Sequence, residues 1–458
     1  MKVIVLYIGL VLVVLSVISF IGCFIYRKLF NDYLNNSLNN KVKKKNRFYP
    51  RHFLNFICLP ICIITCLYWV MFTIFNTSDV EYEGQSGLEY VLKDDDTYKI
   101  VGFEKWIDKE LIIPKKYNDK VVTEIGAGVF RGTYITSVYI PDTITDIGSE
   151  TFSGCVSLST VRLPSNLKEI KNETFMNCTA LKTILIPDSV VSIGNAAFQN
   201  CFNLKTVSLS NNLVLIDNYA FSFCERLVEV VIPNNVIYIK DSAFSNCLNL
   251  EKVVLSSNIE EIGAYAFSST PIEEIIIPDS VINLGESAFH NCKLLTLVKI
   301  GNGITNIPEK TFANCINLAN IDLGENILYV DDGAFSSCKK LTNIVFSDKL
   351  IGIEKNAFND CSELRNVTLS KNTEYIQENA FYNCTKLENI YIGENLFYVY
   401  RCAFYGCYSL KELVLPNTLK YIDGNYLEID NIYYNGSKEE WDKVEKDDVN
   451  LNVIFTKG

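Results

Sequence analysis

A period of 23 residues constrains this chain more than any other feature. Phenylalanine recurs at 130, 152, 175, 198, 221, 244, 267, 289, 312, 335, 358, 381 and 404. Every step is 23 residues except those after Phe130 and Phe267, which are 22. Those two repeats carry Thr133 and Thr270 where the others carry Cys, and both lack one residue before the next apolar run. Matched deletions mark a structural unit. A unit this short cannot bury its apolar face alone, whereas stacked copies share one core, so the period means a solenoid.

Each unit reads F-x-x-C-x-x-L-x-x-V-x-L-P, then x-x-V/L-x-x-I-G-x-x-A-F. The V-x-L part, as in Ile184 and Ile186, alternates with period two, the habit of a half-buried strand. Pro187 and its equivalents end that strand. A second short apolar run, such as Val190 and Ile193, faces it, and A-F-x-x-C makes a tight helical turn with Phe inside. The expected fold is a mainly β solenoid of about 13 coils over residues 126–426. At about 4.8 Å per stacked strand its arc is roughly 60 Å long. Residues 79–125 read as an N-terminal β cap, with a hairpin around the acidic turn Asp94–Asp96, and 427–458 as a C-terminal cap with Trp441 over the last coil.

Eleven of the sixteen cysteines sit three residues after the landmark Phe, from Cys155 to Cys407. One per coil at one phase is a column. Zinc needs ligands converging on a point, and no C-x-x-C pair is present. Parallel Cβ vectors in adjacent coils stay about 5 Å apart, too far for a disulfide, which wants about 3.8 Å. The column reads as small buried residues at an inner bend, reduced and free of metal.

The N-terminal region differs. Residues 3–26 and 53–75 are uncharged and apolar, each long enough to cross a bilayer. Between them, residues 27–52 carry eight Lys/Arg against Asp32 alone. Short basic loops stay in the cytosol. The expectation is an α-helical transmembrane hairpin over residues 1–78, placing the repeat domain outside the cell membrane as part of a two-span protein. A rival reading takes residues 1–22 as a signal peptide, but Lys2 is the only basic residue before the apolar run and no A-x-A site follows.

Charge and composition exclude several functions. Residues 79–458 hold 33 basic and 52 acidic side chains. A body that acidic lacks the basic footprint that nucleic acid requires. His52 and His290 are the only histidines, and no nucleotide, nucleophile-elbow or zinc-protease motif occurs. No enzyme and no cofactor is expected.

The residues flanking the central strand position point outward. One such column contains Leu185, Val231, Val254 and Ile276; the column beside it contains Glu229, Lys252 and Glu274, then Asn320, Asn343, Asn366 and Asn389. An exposed apolar row with acidic flanks is a candidate partner site on Leu185, Val231, Val254, Ile276, Glu229 and Glu274. The competing explanation is that β-branched residues favour strands wherever they point. The four Asn read as a mutually bonded stack.

The units "LKTILIPDSVVSIGNAAFQNC" and "IEEIIIPDSVINLGESAFHNC" resemble BspA-type leucine-rich repeats of bacterial surface proteins. The lead-in "GLEYVLKDDDTYKIVGF" and the tail "IYYNGSKEEWDKV" resemble that family's end segments, so the resemblance covers about 79–458 and leaves out the apolar hairpin. It implies surface recognition or adhesion through a protein ligand on the exposed strand face, with no catalytic residue to carry over. The expected function is therefore that of a membrane-anchored, extracytoplasmic binding protein. The alternative is a non-catalytic scaffold or sensor subunit of a membrane complex.

Overall fold

The computed structural model describes residues 87–104, 108–425, 427, 429–447 and 451–456. Over them the chain winds as a two-walled β solenoid. The front wall is built from strands of three to five residues. Thr183–Leu185 pairs in parallel with Thr206–Ser208, and every partner is 23 residues away, as in Ile184 with Val207. The back wall is built mostly from two-residue strands such as Ser192–Ile193, paired with Glu169–Ile170 and Leu215–Ile216. At the corner that carries the Phe, a third ladder forms. The amides of Tyr219, Phe221 and Phe223 donate to the carbonyls of Asp241, Ala243 and Ser245 of the next coil, at 2.8–2.9 Å. This corner alternates in handedness: residues two before and two after the Phe take positive φ, and Asn fills the second position in many coils, as at Asn177, Asn200 and Asn246. Asn tolerates that conformation better than most side chains.

The core is a column of rings. Thirteen phenylalanines, Phe130 to Phe404, stack with centroids 5.2–5.6 Å apart and planes within 14°. Offset stacking at this spacing adds to the burial of each ring. Phe103 extends the column upstream at 5.9 Å from Phe130.

The cysteines form a second column beside the rings. Cys178, Cys201 and Cys338 each donate their thiol to the carbonyl of the preceding coil's Phe at 3.2 Å. In the two short repeats Thr133 and Thr270 turn to their own coil's Phe carbonyl, at 2.8 and 2.7 Å. Burial pushes the Cys201, Cys247 and Cys361 thiols up to about 12, so they stay protonated and inert at neutral pH. We expect thiol titration of the native repeat domain to find few reactive groups, with the column appearing only in denaturant. Cys338→Ala should cost about 1 kcal/mol, since it removes one small atom and one weak bond. A loss several times larger in chemical denaturation would show that the column does more than pack.

Back strands from Lys120–Ile125 to Glu445–Lys446 make fifteen turns rather than about 13. The two extra lie at the C-terminal end. Strand Tyr421–Ile422 belongs to a coil with Leu427 in place of Phe, and Glu445–Lys446 pairs on it in parallel. The landmark ring is lost there but the stacking continues. Between them stands a single helical turn, α1 (Lys438–Trp441), closed by a reciprocal Ser437–Glu440 capping box. Trp441 is buried edge-on against Tyr434 at 5.1 Å. Upstream, β1 (Leu88–Leu92) and β2 (Tyr98–Phe103) form an antiparallel hairpin, and β2 lies parallel to Lys120–Ile125.

The back wall is in three pieces: Lys120–Ile125 with Asp146–Ile147, then one sheet of six strands from Glu169–Ile170 to Asn283–Leu284 and another of seven from Asn306–Ile307 onward. One break separates Asp146–Ile147 from Glu169–Ile170, and Pro308 accounts for one bond missing at the other, the seam before Asn306–Ile307. In the other coils, except that of Lys171, the residue after the back strand donates to the strand before it, as Gly285 does to Ile262 at 2.7 Å and Asp331 to Ile307 at 2.9 Å. Proline has no N–H to give.

The apolar stretches 3–26 and 53–75 and the basic loop 27–52 lie outside the described residues. Among the described residues no helix is long and apolar enough to cross a membrane. The expected placement as a two-span membrane protein is corrected accordingly: the described residues form the repeat domain, and none of their helices can cross a membrane.

Candidate partner-binding face

The front strands position the site. Each is pinned by a central inward residue, so its neighbours on either side must face solvent. Val230 and Val253 are buried, while Val231 and Val254 beside them are 57% and 42% exposed. Leu185 and Ile276 are 49% and 63% exposed in the same column.

The register shows which of these residues meet. Val231 stands directly opposite Val254, and Glu229 opposite Lys252, with the latter two ion-paired at 2.8 Å. Leu185 is set apart, because its partner across the sheet is Ser208. Glu274 faces Leu297 and Ile276 faces Lys299 in the next front sheet, which begins at Glu274–Ile277. The front wall is divided into short sheets of two or three strands, and one of the breaks falls between Lys252–Val254 and Glu274–Ile277.

Some surface residues escape an alternation argument. Val228, Leu248 and Leu294 are exposed apolar side chains in the turns that lead into the strands. Their only signal in the sequence is that apolar residues stand where other coils have Lys or Glu: Leu248 follows its Cys directly, as Glu225 and Lys339 follow theirs. Leu294 lines a shallow depression with Glu273, Thr296, Asn317, Ala319 and Lys340.

Of the four stacked asparagines, three are linked. Asn366 donates to Asn343 at 2.6 Å and Asn389 to Asn366 at 2.8 Å. The hairpin carboxylates have partners as well: Asp95 accepts from the Thr97 hydroxyl, and Asp96 pairs with Lys120.

A repeat model described as "BspA type leucine rich repeat region (6 copies)" matches residues 123–251, 214–342 and 329–437. The chain belongs to this family. A leucine-rich repeat protein from Bacteroides ovatus is 27% identical and has a TM-score of 0.61, with 82% of this chain and all of that one aligned. The pneumococcal vaccine antigen PcpA shares the fold at 19% identity and a TM-score of 0.52, over 83% of this chain and all of that one. No curated protein matches.

Proposed function

We propose that this chain is a non-catalytic surface-recognition protein whose front wall binds a protein partner, in the manner of an adhesin. The observation that supports this reading is the apolar row Val231, Val254 and Ile276, held exposed on strands whose register the core fixes. A row on rigid strands loses little conformational entropy when a partner covers it.

The test compares two neighbouring valines. Val254→Asp places its charge in solvent and leaves thermal stability unchanged, but abolishes binding. Val253→Asp buries an unpaired carboxylate and destabilises its coil by about 3–5 kcal/mol. A photo-crosslinker at position 254 of the full chain should capture a partner that one at Glu374, on the back wall, does not. Equal capture from both walls would count against the front-wall reading.

A further inference from the structure

The row carries a charge pattern that narrows its partner. Glu251, Glu273 and Glu274 are exposed and flank it in two adjacent coils. Among the described residues none of the three forms an ion pair. The adjacent Glu229 does, with Lys252 at 2.8 Å, and so do carboxylates further along the wall, Glu363 with Lys386 at 2.8 Å and Glu388 with Arg365. Three carboxylates without an ion pair therefore stand in the two coils that carry the exposed side chains Val254 and Ile276, while the nearby Lys252 is paired with Glu229 and Lys299 lies 4.0 Å from Asp322.

We propose that this face takes a protein segment in which apolar side chains alternate with Lys or Arg. The proposal rests on the reading of the row as a binding surface and specifies what binds there. Apolar residues of the segment cover Val231, Val254 and Ile276, and its cations meet Glu251, Glu273 and Glu274. The depression that Glu273 lines, at the turn leading into Glu274–Ile277, fits such a cation. Leu294 supplies an apolar wall for an aliphatic stem, Glu273 supplies the anion, and Thr296 and Ala319 leave room between them. Lys340 bounds the far end, so a basic side chain enters from the Glu273 side. A second copy of this chain is a poor occupant, because the same carboxylates would face each other across a two-fold axis. Nucleic acid and anionic lipid are repelled for the same reason.

The experiment uses the full chain and three synthetic peptides of equal length, alternating Val with Lys, Val with Glu, and Ser with Lys. Fluorescence anisotropy at physiological salt keeps the screening length near 8 Å, so attraction to the acidic body as a whole is damped. The Val/Lys peptide should bind at least about tenfold more tightly than either of the others, the factor that 1.4 kcal/mol supplies. Glu273→Lys with Glu274→Lys should shift the preference towards the Val/Glu peptide, since like charges now oppose the lysines. Glu274→Gln should weaken the Val/Lys peptide alone, with circular dichroism unchanged. Equal binding of the Val/Glu peptide to the wild type overturns the inference, as does equal binding of the Ser/Lys peptide or no binding by any of the three. The crosslinking contrast between positions 254 and 374 reads the binding surface itself, so these failures leave that result standing or falling alone.

Discussion

Deleting residues 313–335 leaves a folded protein with a cooperative thermal transition, whereas deleting 313–323 does not. The first deletion removes one coil and joins Phe312 to Ser336, so the next ring in the column becomes Phe358. Phe312 and Phe335 stack at 5.5 Å and Phe335 and Phe358 at 5.2 Å, and the new pair inherits nearly the same geometry. In a linear stack each coil contacts only its neighbours, so removing one costs one intrinsic unit and one interface. The shorter deletion is about half a period and brings front-wall sequence to the back wall, which exposes apolar side chains on one side and buries polar ones on the other. Circular dichroism and thermal denaturation of the two variants decide the matter. If both tolerate the loss equally, the chain is not a register-bound stack.

Phe244→Ala should be among the most costly single substitutions in the repeat domain, at about 3–5 kcal/mol. Phe244 is fully buried between Phe221 at 5.3 Å and Phe267 at 5.4 Å. The flanking rings belong to other coils with their own ladders, so they cannot move in to fill the space. The cost is then a cavity as well as lost transfer energy. Hydrogen exchange should show increased opening in the coils around 221–267 and unchanged protection near Phe381. Protection lost uniformly along the domain would mean that the stack opens as one unit rather than coil by coil.

The repeat was legible because its signal is chemical and periodic: a Phe every 23 residues can be read without coordinates. Where the chemistry changes, the reading stops short. Leu427 keeps the phase but not the ring, and the coil closed by Glu445–Lys446 has no landmark, so the stack runs two turns past the last Phe. The front face was partly legible. Alternation distinguishes Val254 from Val253, because one faces water and the other the core. It says nothing of Leu294, which lies in a turn where period two does not apply. It also cannot show that Asn320 stays out of the amide ladder, since that depends on side-chain orientation. Pairing of charges is equally invisible to it: Glu229 and Glu274 occupy equivalent positions, yet only Glu229 has a lysine in register opposite.

Pro308 has a mechanical consequence. A stack pulled from its ends carries the same force through every interface, as links of a chain do, and it parts where the fewest cross-links resist. The seam between Asn283–Leu284 and Asn306–Ile307 lacks the donor that the back strands on either side possess. The seam between Asp146–Ile147 and Glu169–Ile170 shares that lack, so under tension along the solenoid axis we expect rupture at one of these two seams. At the Pro308 seam it divides the domain into an upstream block that carries the apolar row and a downstream block that carries the asparagine ladder.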